Sequence, residues 1–214
     1  MRLAEHLNEL ILRDGSNITI VYLYLCHFFS MSCGFFRFYA HMGVLHALEE
    51  NNCLRVKSCS GSSAGALVAA FLASGMKPND MPSEVFPIRR EDIWDLGIGL
   101  GLLKGDLFQK LLEDKFPVKT IEECSIPLGV TAYDVLGFRT NCITKGDLAT
   151  AVRASCTFPG LFQPVVIDDR YVLICAIMIR DIAVVMCVIH SISSCALESK
   201  FLSSPRLNST SFNH

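Results

Sequence analysis

The chain lacks an excess of either charge: 19 Lys and Arg face 21 Asp and Glu, for a net charge of −2. Such a balance gives no electrostatic footprint for nucleic acid, so no nucleic-acid partner is expected. It has one Trp and five Tyr against 14 Phe, which suits an apolar interior or a lipid-facing surface. No Gly-x-x-x-x-Gly-Lys-[Ser/Thr] loop occurs, which argues against the P-loop nucleotide classes. Ten cysteines form no Cys-x-x-Cys pair, and no His stands at zinc-finger spacing. The sequence therefore points to no metal and no cofactor. Several of these cysteines lie inside apolar runs, where Cys acts as a small hydrophobe. Free thiols in a reducing, cytoplasmic setting are the expectation.

What is present is a chain of 214 residues, 51% hydrophobic and 19% charged. That is enough for one α/β domain with a sizeable core, and it is not a disordered profile. Residues 1–13 carry Leu3, Leu7, Leu10 and Ile11 at helical spacing with charges between, unlike a signal peptide. They predict a short amphipathic helix ended at Asp14-Gly15. Two longer apolar stretches invite a membrane reading. Residues 18–36 are broken by His27 and Gly34 and begin with β-branched and aromatic residues, which favours a buried strand. Residues 172–190 hold Arg180 and Asp181 at their centre, each costing ~2.5–3.5 kcal/mol at mid-bilayer.

Strand signals at 17–25, 54–59, 126–133, 141–143 and 164–167 alternate with helical signals at 41–51, 64–74, 107–116 and 146–155. This alternation predicts an α/β fold with a mostly parallel central sheet covered by helices on both faces. Gly97, Gly99, Gly101 and Gly105 mark a permissive loop suited to a lid. Composition shifts near Cys175, and residues 203–214 are polar, as frayed ends are.

The chemical signal is Gly61-Ser62-Ser63-Ala64-Gly65, with strand-like residues before it and a small-residue helix after it. A nucleophilic Ser must project from a sharp strand-to-helix turn, and small neighbours let that turn form. The plainer alternative is a turn in which Ser62 or Ser63 caps the helix. Flanking strand and helix favour Ser63 as nucleophile. A second segment, Cys33-Gly34-Phe35-Phe36-Arg37, forms a turn between strand and helix, whose N–H groups could converge on an anion. There Arg37 either supports the loop or meets an acyl carbonyl.

Three blocks together resemble the patatin-like phospholipase family. They are Cys33 to Arg37 followed by His41 to Glu50, the Ser60 to Ala66 elbow, and Ala151-Val152-Arg153-Ala154-Ser155-Cys156-Thr157-Phe158-Pro159-Gly160-Leu161-Phe162-Gln163-Pro164-Val165. The resemblance implies a patatin-like domain over residues 1–172 and a divergent segment over 173–214. It implies a lipid ester substrate and Ser63 as the nucleophile of a Ser–Asp dyad. Gly61, Ser62, Ala64 and Gly65 would form the elbow, and Cys33, Gly34, Phe35 and Arg37 the oxyanion hole. Contact with a membrane or lipid-droplet surface from the cytoplasmic side is the matching partner. His41 and His46 read as packing or loop residues.

Two departures from the family pattern stand out. Its glycine loop carries Cys33 and Phe35 here in place of glycines. Its Asp-Gly-Gly or Asp-Gly-Ala motif is absent; the slot is Leu173 or Cys175. Asp168 and Asp169 lie upstream in a turn, with Asp169 the substitute base, and Asp181 lies downstream without glycines. The expectation is a truncated or variant form in which residues 173–214 replace the usual ending, impaired as a hydrolase. The competing expectation is an inactive lipid-binding or interaction protein with the same fold. A His-containing triad would need His190 or His214, neither in a convincing context.

Overall fold

The computed structural model describes residues 21–23, 28–34, 36–167 and 170–174. The predicted helix at 1–13 and the stretch beyond residue 174 lie outside them. Nine strands are described: β1 (Val21–Leu23), β2 (Phe28–Met31), β3 (Ser58–Ser62), β4 (Gly101–Leu103), β5 (Leu128–Asp134), β6 (Arg139–Ile143), β7 (Gly160–Phe162), β8 (Val165–Ile167) and β9 (Arg170–Ile174). The α-helices are α1 (Arg37–Glu50), α2 (Ala64–Ala73), α3 (Met81–Val85), α4 (Asp106–Lys115) and α5 (Leu148–Cys156). The α/β expectation holds. The main sheet is mixed, with β2, β3 and β5 parallel at its centre and antiparallel strands on its flanks. Among the described residues no helix is long and apolar enough to cross a membrane.

The central strands are buried on both faces. Cys59 and Val130 pack beneath α2, and Ser60 and Ser62, pointing the other way along β3, are also enclosed. α2 reads Ala-Gly-Ala-Leu-Val-Ala-Ala-Phe-Leu-Ala, and all but Leu67 is buried. An all-round apolar helix belongs in the interior. Its small side chains let it lie so close to the sheet that the Cys59 thiol donates to the Ala69 carbonyl at 3.6 Å. A smaller apolar cluster of Ala132, Ala154, Val165 and Val172 pins the β8–β9 hairpin against β5 and α5.

One detail of register positions the site. Val130 pairs with Gly61 of β3 and Ile143 of β6, so these two strands flank opposite edges of β5. Ala132 pairs with Asn141 of β6 and Ile174 of β9. β9 therefore runs along the edge of β5 that β3 vacates when it turns into α2.

Several elements begin elsewhere than their sequence signals suggest. Within the strand expected at 17–25, residues 21–23 are described as β1, and β2, at 28–31 and not expected, pairs with it antiparallel. The strand expected at 54–59 is β3, displaced to Ser58–Ser62, where its two parallel partners lie. α1 starts at Arg37, four residues before the expected helix, on a Phe36 N-cap without a side-chain hydrogen bond.

Candidate active site

β3 ends at Ser62 and α2 starts at Ala64, so Ser63 alone makes the turn. Its backbone sits at φ 53°, ψ −119°. Positive φ is rare for a side-chain-bearing residue, and such strain costs ~1–3 kcal/mol. The surroundings enforce it. A Cβ on Gly61 would lie 2.4 Å from the Gly65 carbonyl carbon, and one on Gly65 would lie 2.2 Å from the Met31 carbonyl oxygen. Any side chain at either glycine would force strand and helix apart. The capping alternative fails on geometry: an N-cap has extended dihedrals and a side-chain oxygen bonded to the first turn, and Ser63 has neither. The half-buried Ser63 side chain is thus not consumed by α2 and stands beside the helix's positive end.

A brace not anticipated from the sequence holds the turn from α5. The Ser155 hydroxyl accepts the Ser63 N–H at 2.8 Å and donates to the Thr131 carbonyl at 2.7 Å. Ser155 is completely buried, so it locks the elbow to β5. Burial pushes the thiol of its neighbour Cys156 up to about 12, against a smaller downward pull from the Ser63 side chain. It is neutral near pH 7 and is no thiolate base. The only sequence signal for this brace was the third family-like block.

The Cys33–Gly34 loop lies between β2 and α1. Gly34 has φ 147°, and a Cβ there would strike the Arg37 side chain at 2.4 Å. Arg37 supports the loop: its Nη1 donates to the Cys33 carbonyl at 2.8 Å, and its backbone N–H donates to the Gly34 carbonyl at 2.9 Å. His41, 1% exposed, donates from Nε2 to the Ser32 carbonyl at 2.9 Å. A carbonyl can only accept, so Nε2 carries the proton, and Nδ1 is buried without a partner. Burial lowers the His41 pKa; the Ser32 carbonyl opposes this and Arg37 adds to it. His41 is therefore a neutral clamp on the loop, and His46 bonds Asn79 at the surface. Burial raises the Cys33 thiol despite Arg37, so the residue in the glycine slot is uncharged. Phe35 lies outside the described residues.

No carboxylate is described on the edge where β9 meets the elbow. Leu173 stands opposite Tyr133, and Ile174 opposite Ala132, one step beyond the Ser62–Thr131 pair. Asp134 is buried at the end of β5, but it accepts the Gly137 N–H at 2.9 Å and faces Arg139 at 3.6 Å, building the turn to β6. Asp168, Asp169, Cys175, Asp181, His190 and His214 lie outside the described residues. Among the described residues, no cluster of three His, Cys, Asp or Glu is gathered for a metal ion. Six cysteines, Cys33, Cys53, Cys59, Cys124, Cys142 and Cys156, are free thiols.

Comparison with known proteins bears on the family and the fold. The chain is 29% identical over 145 residues to the uncharacterized NTE family protein Mb1092c of Mycobacterium bovis, covering 66% of this chain and 40% of that one. It is 29% identical over 154 residues to the uncharacterized protein YqhO of Bacillus subtilis, covering 58% of this chain and 52% of that one. The chain thus spans about half or less of these relatives. Among solved structures, VipD from Legionella pneumophila superposes with a TM-score of 0.57 at 15% identity, over 66% of this chain and 44% of that one, a likeness of fold. The family profile "Patatin-like phospholipase" matches residues 29–176, more than half of the sequence, and the chain belongs to that family.

Proposed function

We propose that this chain is a lipid acyl hydrolase of the serine type, with Ser63 as its nucleophile and with turnover limited by a missing acid. The family acts on lipid esters, which supplies the substrate class. The observation that carries the reading is the Ser63 backbone at φ 53°, ψ −119°, strained yet free of any capping bond. Strain held in this way is a mark of functional turns.

In this reading Ser63 Oγ attacks the ester carbonyl. The oxyanion is met by backbone N–H groups of Cys33, Gly34 and Phe35, with Arg37 bracing their loop, and by the N–H of Ala64 at the start of α2. The alcohol leaves, an acyl-Ser63 forms, and water hydrolyses it. Each step needs a group to take and return a proton. The slot of the family's dyad aspartate holds Leu173 or Cys175, and Leu173 cannot do this. Losing the base of such a unit removes on the order of 10⁴-fold in kcat.

A fluorophosphonate probe and a short-chain nitrophenyl ester test the proposal. Labelling of the wild-type chain that disappears in Ser63→Ala, with slow turnover raised ~10-fold or more by Leu173→Asp, is the expected result. Leu173 also favours a second reading, a non-catalytic lipid-binding protein on the same fold. No labelling and no turnover, with Leu173→Asp silent, would establish that reading instead. Rapid turnover unaffected by Ser63→Ala would sink both.

A further inference from the structure

Residues 94–102 read Trp-Asp-Leu-Gly-Ile-Gly-Leu-Gly-Leu. The even positions are large and apolar, and every one is exposed: Trp94 50%, Leu96 74%, Ile98 105%, Leu100 76% and Leu102 62%. A Cβ on Gly97, Gly99 or Gly101 would come within 2.4 Å of the Lys104 side chain, 2.6 Å of the Gln163 side chain and 2.4 Å of the Phe162 backbone, respectively. Only the last of these is a contact with backbone, and Lys104 is itself exposed. The chain reverses between Gly97 and Leu102, so the five exposed apolar side chains surround the tip and both sides of the ribbon.

The ribbon is a fastened hairpin. Leu96 bridges Leu103 antiparallel, the Gly97 N–H donates to the Leu102 carbonyl at 3.1 Å, and the Lys104 N–H to the Asp95 carbonyl at 2.8 Å. β4 pairs in parallel with β7. At the root, the Asp95 carboxylate accepts N–H bonds from Gly105, Asp106 and Leu107 at 2.7, 2.7 and 3.1 Å. Burial raises its pKa and these bonds more than offset that, so the net shift is downward and Asp95 is ionised at neutral pH. Arg153 of α5 donates from Nη2 to the Lys104 carbonyl, and Gly105 at φ 86° lies flat on its guanidinium. The same helix carries Ser155, whose hydroxyl accepts the Ser63 N–H.

We propose that this hairpin inserts its apolar row into the surface of a lipid aggregate and so brings the Ser63 elbow to its substrate. The choice of lipid as occupant rests on the lipid-ester reading above, and three observations support it. A protruding apolar row of this kind is uncommon on a monomeric soluble domain and marks a contact surface. The row is graded: an aliphatic tip at Ile98 and Leu100, then the Trp94 indole with the Arg90 guanidinium 5.3 Å over its ring, then ionised groups at the root. Apolar tip, indole and cation in that order match the profile of a bilayer interface. Third, α5 links the root of the hairpin to the elbow, so an inserted tip and a facing nucleophile are held by one rigid element. Near the root Arg89, Arg90 and Lys104 are balanced by Glu91, Asp92, Asp95 and Asp106. The contact is therefore apolar in origin and does not require an anionic headgroup.

Trp94 is the only Trp in the chain, so its fluorescence reports on the hairpin alone. Vesicles of phosphatidylcholine added to the full chain carrying Ser63→Ala should shift Trp94 emission to the blue, and the protein should co-float with them. Salt at 0.5 M should leave that binding within a factor of two. The double variant Ile98→Asp with Leu100→Asp should lose ~10-fold or more of the partitioning, because charge at the inserted tip is costly. Its circular dichroism and melting temperature should be unchanged, since both side chains are in water. Flotation equal in the parent and the double variant, or no Trp94 shift at all, would overturn the proposal. So would a dimer, seen by light scattering without lipid, that the double variant dissociates. Fluorophosphonate labelling is read separately on the chain with Ser63 intact. Vesicle binding without labelling would remove the hydrolase and keep the docking surface; labelling without vesicle binding would do the reverse.

Discussion

Two segments of this molecule space glycines at close intervals, and they use them differently. In the elbow, the space that Gly61 and Gly65 leave is filled by backbone: the Gly65 carbonyl and Ala66 nitrogen in one case, the Met31 carbonyl in the other. In the hairpin, Gly97 and Gly99 lie against the far ends of Lys104 and Gln163, and only Gly101 meets backbone, at Phe162. Backbone inside a sheet cannot yield, whereas a Lys or Gln tip can swing away. The open sides also differ. The elbow presents one polar hydroxyl under strain; the hairpin presents a row of apolar side chains without a positive φ between 94 and 102. Close approach is common to both, and what each displays on its free side sets the chemistry it can do.

The largest effect expected from this contrast is at Gly65. Gly65→Ala should cost ~3 kcal/mol or more in chemical denaturation, at the upper end for overpacking, because β2 and α2 must separate at the centre of the core. Gly101→Ala meets backbone equally closely but in a two-stranded edge ribbon. It should cost ~1–2 kcal/mol and act locally, seen as faster proteolysis of the 94–105 segment with little change in the global transition. A global loss at Gly101 as large as that at Gly65 would mean that the hairpin is part of the core, and the contrast would fail.

The next effect separates strain from chemistry at Ser63. Ser63→Ala keeps a Cβ at φ 53°, so it keeps the strain and loses the hydroxyl. Ser63→Gly removes both. Relief of ~1–3 kcal/mol of strain, less ~0.4–1 kcal/mol for the greater freedom of an unfolded glycine, leaves Ser63→Gly about 1 kcal/mol more stable than Ser63→Ala. For a chain of this size that is ~2–4 °C in melting temperature. Equal melting temperatures would show that the turn relaxes in solution.

The elbow was legible because its signal is local. Gly-x-Ser-x-Gly sits between a strand and an Ala-rich helix, and α2 stops at Gly75, whose φ of 98° is the left-handed stop that favours glycine. The Asp147 side chain that caps α5, accepting the Thr150 N–H at 2.7 Å, is local as well. What escaped was set by tertiary pairing. β4 and β7 are three residues each and exist because Gly101 and Gly160, far apart in the sequence, meet in parallel register. β2 lies in the same apolar-rich stretch as β1, and its pairing with β1 and β3 is what makes it a separate strand. Ser155 looked like one small polar residue among others in a helix. Its role appears only when α5 lies across the end of β3. The departure from the family's Asp-Gly-Gly or Asp-Gly-Ala motif was legible in the sequence, and the register of β9 adds that Leu173 stands opposite Tyr133.

The smallest predicted effect is the sharpest test of the comparison. Gly97→Ala and Gly99→Ala together place two methyl groups against the Lys104 and Gln163 side chains. Lys104 is exposed, and Gln163 gives up a bond from Nε2 to the Ile98 carbonyl at 3.2 Å at most. Both side chains can rotate away, so the pair should cost under ~1 kcal/mol, near the range of ordinary surface substitutions. Two more restricted residues also stiffen the unfolded chain, which offsets part of that loss. The apolar row should stay outward, and partitioning into phosphatidylcholine vesicles should stay within about twofold of the parent. A cost rivalling that of Gly65→Ala would mean that Lys104 and Gln163 are as fixed as backbone. The hairpin would then be held by the same unyielding close packing as the elbow.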